Sequence, residues 1–344
     1  MKCEIITLVG INLGNRLQNY ALQTVLRQFG CNVVTSHIDG PKRPFLRWLK
    51  FKYYAYRNRT VHDKFIRFNQ RIQWKRDYNS HLHDDPKIDF YIAGSDQIWN
   101  PHFKSTTDRE FLRFTSEYKR IAYAASFGVE SIPPHLIARF RQYIDEMPHV
   151  SVREESGARI IKEMTGKDVP VVLDPTLLLG CEEWNDVAND SSLKIPKNYV
   201  MRYFLGGTPS IVDDKIKKYC KIHGLEDIDA MSDTVDLFPS MGPSDFVKAI
   251  SRAQHIYTDS FHAVCFSIIY RRPFTVFSRM GEIGFGDMTS RFESLFKALS
   301  LNRKVITDFN DWNPESDELS YEQIDEALGE CVKFSKKYLQ DALK

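Results

Sequence analysis

Residues 6–23 read ITLVGINLGNRLQNYALQ. An apolar β-run, Ile5 to Val9, breaks at Gly10 and passes through a polar turn into an amphipathic helix from Gly14 to Phe29. That order of strand, loop and helix is how an open parallel sheet begins. The next apolar run, Asn32 to Thr35, supplies a second strand. The glycines of the loop fit neither G-x-G-x-x-G nor G-x-x-x-x-G-K-[ST], so no dinucleotide or P-loop assignment follows.

The alternation continues through IDFYIAG (Ile88 to Gly94), RIAYAAS (Arg120 to Ser126), a helix opening at PPHLIARF (Pro133 to Phe140), HVSVRE, a helix through Ile160 and Ile161, and VPVVLDP. Around Leu179 to Pro196 it lapses into acidic, Ser- and Asn-containing sequence that reads as a linker. It then resumes with YVMRYFLGG (Tyr199 to Gly207), a helix Ile211 to Ile222, a strand near Ile228, a helix Ser244 to Ser251, HIYTDSFHAV and RPFTVF. At 344 residues, 42% hydrophobic, the chain is long enough for two cores. The expected class is α/β, with one open-sheet lobe over 1–178, a second over 179–320, and a C-terminal helix over 321–344 that reaches back to the first lobe. No run approaches the roughly 18 apolar residues of a membrane span, and MKCEIITLV has no leader pattern. A cytoplasmic location is expected. The six cysteines lie far apart with no C-x-x-C, which favours reduced, mostly buried thiols over disulfides or a metal knuckle.

The net charge of +2 conceals an asymmetry. Pro41 to Arg76 carries twelve Lys or Arg and one acid, Asp63, for +11, while the remaining chain carries 35 basic and 44 acidic residues, for −9. Nine aromatics are interleaved in that segment, Trp48, Tyr53 and Trp74 among them. Such a mixture suits a phospholipid headgroup layer, so peripheral contact with the inner membrane face through 41–76 is one reading. A solvated insertion whose aromatics pack on the protein body is the other. Nucleic acid is not an expected partner, because no nucleic-acid fold accompanies the patch.

In open α/β sheets ligands bind beyond the carboxyl ends of the strands, so the loops there hold the candidate residues. The first helical turn carries Asn15, Arg16 and Gln18 near free amides that attract an anion; a polar helix cap is the alternative. AGSDQIWNP gathers Ser95, Asp96, Gln97 and Asn100 after a strand, and Asp96 can accept a proton or an acceptor hydroxyl, or else end the strand in an Asx-turn. Ser126 is a weaker case of the same kind. Arg153 follows the strand Val150 to Val152, where its fork can meet a carboxylate or phosphate, or pair with Glu154 or Glu155. Asp259, Ser260 and His262 share a strand-to-helix junction, where a histidine can donate to phosphate or transfer a proton.

Together these loops resemble the polysaccharide pyruvyl transferase family. The matching stretches are GNRLQNYALQ (Gly14 to Gln23), AGSDQIWNP (Ala93 to Pro101), YAASFG (Tyr123 to Gly128), SVREESG (Ser151 to Gly157), LDPTLLL (Leu173 to Leu179), TDSFHAVCFSII (Thr258 to Ile269) and SRFESLF (Ser290 to Phe296). The resemblance implies two Rossmann-like lobes facing across a cleft, as in GT-B glycosyltransferases. It also implies transfer of a pyruvyl group from phosphoenolpyruvate to two sugar hydroxyls, leaving a cyclic ketal. The family's Arg maps onto Arg153 and its His onto His262. Many members have R-x-H-G where this chain has Ser260, Phe261, His262 and Ala263, so a second cation must come from elsewhere, with Arg16, Arg202 and Arg291 as candidates.

The expectation is therefore that Arg153 and His262 face each other across the cleft and hold the phosphate and carboxylate, while Asp96 orients or deprotonates the acceptor. The candidate substrate-binding set is Asn15, Arg16, Gln18, Ser95, Ser126, Arg202, Ser260 and Arg291. Phosphoenolpyruvate is the expected donor, a polyprenyl-diphosphate-linked sugar is a candidate acceptor, and the scheme assigns no step to a metal or cofactor. The alternatives are a glycosyltransferase using a nucleotide sugar, and a non-catalytic membrane-associated assembly protein whose working part is the basic segment.

Overall fold

The structure is a computed structural model, and it describes residues 1–38, 59–77, 83–103, 106–231, 241–280, 289–316 and 321–344. The first lobe is built on six parallel strands, β1 (Lys2–Ile6), β2 (Asn32–Ile38), β3 (Trp74–Asp77), β4 (Phe90–Ala93), β5 (Arg120–Ala125) and β6 (His149–Val152), ordered β3-β2-β1-β4-β5-β6. Its helices are α1 (Leu13–Gln28), α2 (Arg59–Asn69), α3 (Pro134–Asp145) and α4 (Glu155–Thr165). Helix α5 (Cys181–Asn189) leads to the second lobe. There β7 (Tyr199–Tyr203), β8 (Glu226–Asp229), β9 (His255–Thr258) and β10 (Phe274–Val276) form a parallel sheet ordered β10-β9-β7-β8, with α6 (Ser210–His223), α7 (Pro243–Arg252), α8 (Phe261–Ile269) and α9 (Ser290–Ala298). The chain ends in α10 (Glu322–Ala342). The first sheet reverses its winding between β1 and β4, and the second between β7 and β9. Such switch points are where loops diverge and leave room for a ligand.

Strand β1 ends three residues earlier than its apolar run suggests. Its ladder with β4 closes at Ile6 and Ala93, and the following backbone is bound differently: Thr7 Oγ1 donates to the Ser95 carbonyl at 3.2 Å and accepts from Gln18 Nε2 at 2.9 Å. The expected linker near Leu179 to Pro196 contains α5, because one residue there outweighs the polar composition around it. Trp184 is fully buried, packs at a tilt on Tyr20 of the first lobe (5.6 Å) and edge-to-face on Phe266 of the second (4.7 Å), and donates through Nε1 to the Thr176 carbonyl at 3.1 Å. Trp184→Ala is expected to cost about 3–5 kcal/mol, measured as a shift in the denaturant midpoint.

Of the basic segment, 41–58 lies outside the described residues; 59–77 is not an appendage but supplies α2 and the edge strand β3. Its cations bind acids of the body. Lys64 pairs with Asp245 at 2.7 Å, Arg71 with Asp186 and Asp190 at 2.6 Å each, and Lys75 with the buried Glu4 at 2.8 Å. Lys64 thereby ties α2 to α7, and Arg71, in the turn just past α2, reaches α5 and its C-cap. At the far end of the chain α10 returns to the first lobe, where Ser335 Oγ accepts from the Leu173 amide at 3.0 Å and Tyr338 donates to the Ala122 carbonyl at 3.1 Å. Glu155 N donates to Ser294 Oγ at 2.9 Å, closing α4 against α9. The two lobes share a continuous apolar core on one side and leave a cleft on the other.

Candidate active site

The two switch points meet across that cleft around a polar cavity of about 200 Å³. The first lobe contributes Asn12, Gly14 and Asn15 from the start of α1, and Asp96 and Gln97 from the loop after β4. The second contributes Ser260 and His262 at the start of α8, Arg279 beyond β10, and Arg291 in α9. Helices α1 and α8 both present their amino ends, which carry unpaired amides and partial positive charge. Asn12 caps α1 by accepting from Asn15 N at 3.1 Å, and Ser260 caps α8 by accepting from Ala263 N at 3.5 Å.

Asp96 sits at φ +73°, a left-handed conformation that Asp tolerates better than most residues. Its carboxylate accepts from Asn15 Nδ2 and, at 2.9 Å, from Gln97 N, and lies 3.5 Å from Arg153 Nη2. An observed strained residue held by three donors at a cavity wall is the pattern of a working group.

Arg153 is placed differently from the expectation. Its side chain is 1% exposed and does not line the cavity; it lies beneath the Phe261 ring at 4.6 Å. Its nitrogens reach Asp174 at 3.0 Å, Asp96 at 3.5 Å and Glu154 at 3.6 Å. Burial alone would lower its pKa, but the three carboxylates outweigh burial and raise it. Arg153 therefore anchors acids rather than presenting a free fork. Asp174, which sequence reasoning quoted within LDPTLLL without singling it out, is the residue on which the lobes converge. Its Oδ2 accepts from Ser95 Oγ and Arg153 Nη1, both at 3.0 Å, and stands 3.6 Å from His262 Nε2; its Oδ1 accepts from Thr176 N at 3.0 Å and Thr176 Oγ1 at 2.8 Å. Burial opposes its ionisation, yet His262, Arg153 and the Thr176 amide hold the carboxyl well below the ordinary range.

His262 comes from the second lobe but reaches the first. A Cβ at position 14 would stand 2.2 Å from its Nδ1 and 2.5 Å from its Cε1, so glycine is required for the close approach. Gly14→Ala is expected to displace the imidazole and lower turnover about 100-fold, measured by steady-state kinetics with circular dichroism to confirm the fold.

Of the three arginines named as a second cation, Arg291 alone lines the cavity. It is 4% exposed, its Nε has no hydrogen-bond partner, and among the described residues no carboxylate pairs with it. Burial, then the nearby charges of Arg153 and Arg279, push its pKa down to about 10. Arg202 is instead spent inside the second lobe, bound to Asp213 at 2.6 Å, Asp227 at 2.7 Å and Asp229 at 3.7 Å. Arg16 donates to the Val9 carbonyl at 2.9 Å and lies over the Trp74 ring at 4.9 Å. Gln18, Ser95 and Ser126 are fully buried behind the cavity wall. Arg279, which the sequence reading missed, also lines the cavity. It lies 3.3 Å from Asp259, whose carboxylate also accepts from Leu205 N at 2.7 Å and Gly206 N at 2.8 Å. Its position just past the run RPFTVF obeys the same strand-end rule that drew attention to Arg153.

The sequence profile of one family, polysaccharide pyruvyl transferase, matches residues 12–279, a span that holds the loops from both switch points and ends on Arg279. The chain belongs to the polysaccharide pyruvyl transferase family. It is accordingly a transferase of polysaccharide metabolism. No curated protein matches the chain significantly. Among solved structures, a protein assigned as a UDP-N-acetylglucosamine 2-epimerase from Listeria monocytogenes is similar over 99% of this chain and 91% of its own, with a TM-score of 0.52 at 11% identity. UDP-N-acetylglucosamine 2-epimerase from Rickettsia bellii covers 100% and 97%, with a TM-score of 0.47 at 13% identity. The likeness to the Listeria protein is one of fold. The pyruvyl transferase chain thus has the two-lobed, GT-B-like α/β architecture expected of it, and no helix among its described residues is long and apolar enough to cross a membrane.

Proposed function

We propose that the cavity binds phosphoenolpyruvate and transfers its pyruvyl group to two hydroxyls of a sugar as a cyclic ketal. The observation that carries this reading is Arg291, a buried guanidinium that lines the cavity without a carboxylate partner among the described residues. An uncompensated buried charge is costly, and a small dianion removes that cost. Arg291, Arg279 and the amides opening α1 and α8 hold the phosphate and carboxylate. His262, protonated, gives a proton to the C3 methylene, and positive character develops at C2. A sugar hydroxyl adds at C2, its proton passing to Asp96; phosphate leaves with the C–O electron pair; the second hydroxyl closes the ring and releases its proton. The two hydroxyl protons balance the one placed on C3 and the one carried away on phosphate. Arg153 keeps Asp96 and Asp174 in place, a different role from the direct contact first expected.

The acceptor is a sugar of a polysaccharide precursor, and a polyprenyl-diphosphate-linked form fits a protein docked on the inner membrane face through the basic segment 41–76. Titration calorimetry tests the donor. Phosphoenolpyruvate should bind and, with an acceptor panel, yield free phosphate and a pyruvylated sugar by mass spectrometry. Binding of UDP-sugars with no binding of phosphoenolpyruvate would replace this reading with nucleotide-sugar glycosyl transfer.

A further inference from the structure

We propose that Asp174 is the positioning residue for His262, holding the imidazole with its Nε2 proton toward the carboxylate so that Nδ1 is the nitrogen that exchanges a proton with substrate. The inference rests on the functional reading above for what Nδ1 does, but not for how the ring is held. Four donors to Asp174 come from the first lobe itself, Ser95 Oγ, Arg153 Nη1, and the amide and hydroxyl of Thr176. They immobilise the carboxylate before the second lobe is considered. The remaining side of Oδ2 faces His262 Nε2 at 3.6 Å, and that nitrogen is buried with no hydrogen-bond partner, Asp174 being the acid nearest to it. Nδ1 lies instead against the bare Cα of Gly14, itself a wall residue of the cavity. The ring is wedged between an anion and a helix start, and only one orientation puts a donor toward the anion.

The charges around it give Asp174 a second task. Arg153 lies behind Asp174, Arg279 and Arg291 stand across the cavity, and the amino ends of α1 and α8 add partial positive charge; against these stand Asp96 and Asp174, with Glu154 beside Arg153 and Asp259 beside Arg279. Asp174 is the acid directed at the imidazole. Removing that acid should alter both the tautomer and the pH at which His262 loses its proton. A residue that merely stabilised the fold would change neither.

The first measurement needs no variant. In the full-length protein labelled with ¹⁵N-histidine, long-range ¹H–¹⁵N correlation should show His262 as the Nε2–H tautomer above its titration, assigned among the ten histidines by the signal lost in His262→Gln. An Nδ1–H tautomer overturns the proposal. Asp174→Asn should then abolish the single tautomer and move the basic limb of the kcat profile to lower pH. It should also reduce kcat about 100-fold or more, as expected when a carboxylate orienting a catalytic histidine becomes an amide, with phosphoenolpyruvate affinity held within about threefold. An unchanged tautomer and pH profile, or a loss confined to affinity, overturns it equally. Should Asp174→Asn fail to fold, the wild-type tautomer still decides. Should phosphoenolpyruvate fail to bind the wild type, the functional reading falls while the tautomer result stands.

Discussion

Arg291→Gln is expected to weaken phosphoenolpyruvate binding about 100-fold or more, because a buried charge pair that loses one partner costs some 2–5 kcal/mol and about 1.4 kcal/mol is tenfold. The ligand-free protein should respond in the opposite sense. Burial and the charges of Arg153 and Arg279 depress the Arg291 pKa to about 10, below its value in an unfolded chain, so the charged form is a burden on the empty fold. Removing it should leave the ligand-free melting temperature unchanged or raised, while the rise produced by phosphoenolpyruvate, about 2.7 kcal/mol at 100 times Kd, disappears. The pH dependence has a definite sign. Arg291 keeps its charge at neutral pH and loses it as pH rises through about 10, so affinity should fall on the alkaline side. Calorimetry and thermal melts over that range check both statements, and an unchanged Kd would mean that another cation carries the anion.

His262→Gln should leave that affinity nearly intact and remove turnover instead. Proton transfer by a positioned side chain is worth roughly 10²–10⁴ in rate, and glutamine fills similar space without a transferable proton. In heavy water the wild-type product should carry one deuterium in its pyruvyl methyl group, and the variant should form that product about 100-fold or more slowly. If turnover persisted, the acid would have to be sought among the other cavity groups, with Asp96 the nearest alternative in type.

The contrast between these two substitutions and Arg202 shows what pattern alone can decide. Three arginines were equal candidates for a second cation, each beside a motif or at a strand. Arg202 is in a strand whose partner β8 brings Asp227 and Asp229 beside it, while α6 adds Asp213; its charge is consumed. Arg291 meets no such acid among the described residues. Likewise Arg153 was read as a fork pointing into the cleft after a short strand, but its partners Asp96 and Asp174 lie 57 and 21 residues away, beyond any local spacing. The linker reading of Leu179 to Pro196 missed α5 for a related reason: composition there is polar, and one tryptophan with partners in both lobes outweighs it.

The sequence by itself determined the alternation of short buried strands and helices, the two lobes, the family, and the loops that line the cavity. These follow from local periodicity and from the rule that strand ends face the ligand, both of which are written along the chain. Tertiary structure alone decided which charges remain available. Whether an arginine binds substrate or an internal acid depends on neighbours brought together by folding. So does the pairing of Asp174 in one lobe with His262 in the other, across 88 positions of sequence. Electrostatic partnership acts through space, and in this protein it ties Arg153 and Arg202 to acids while Arg291 has no carboxylate partner among the described residues.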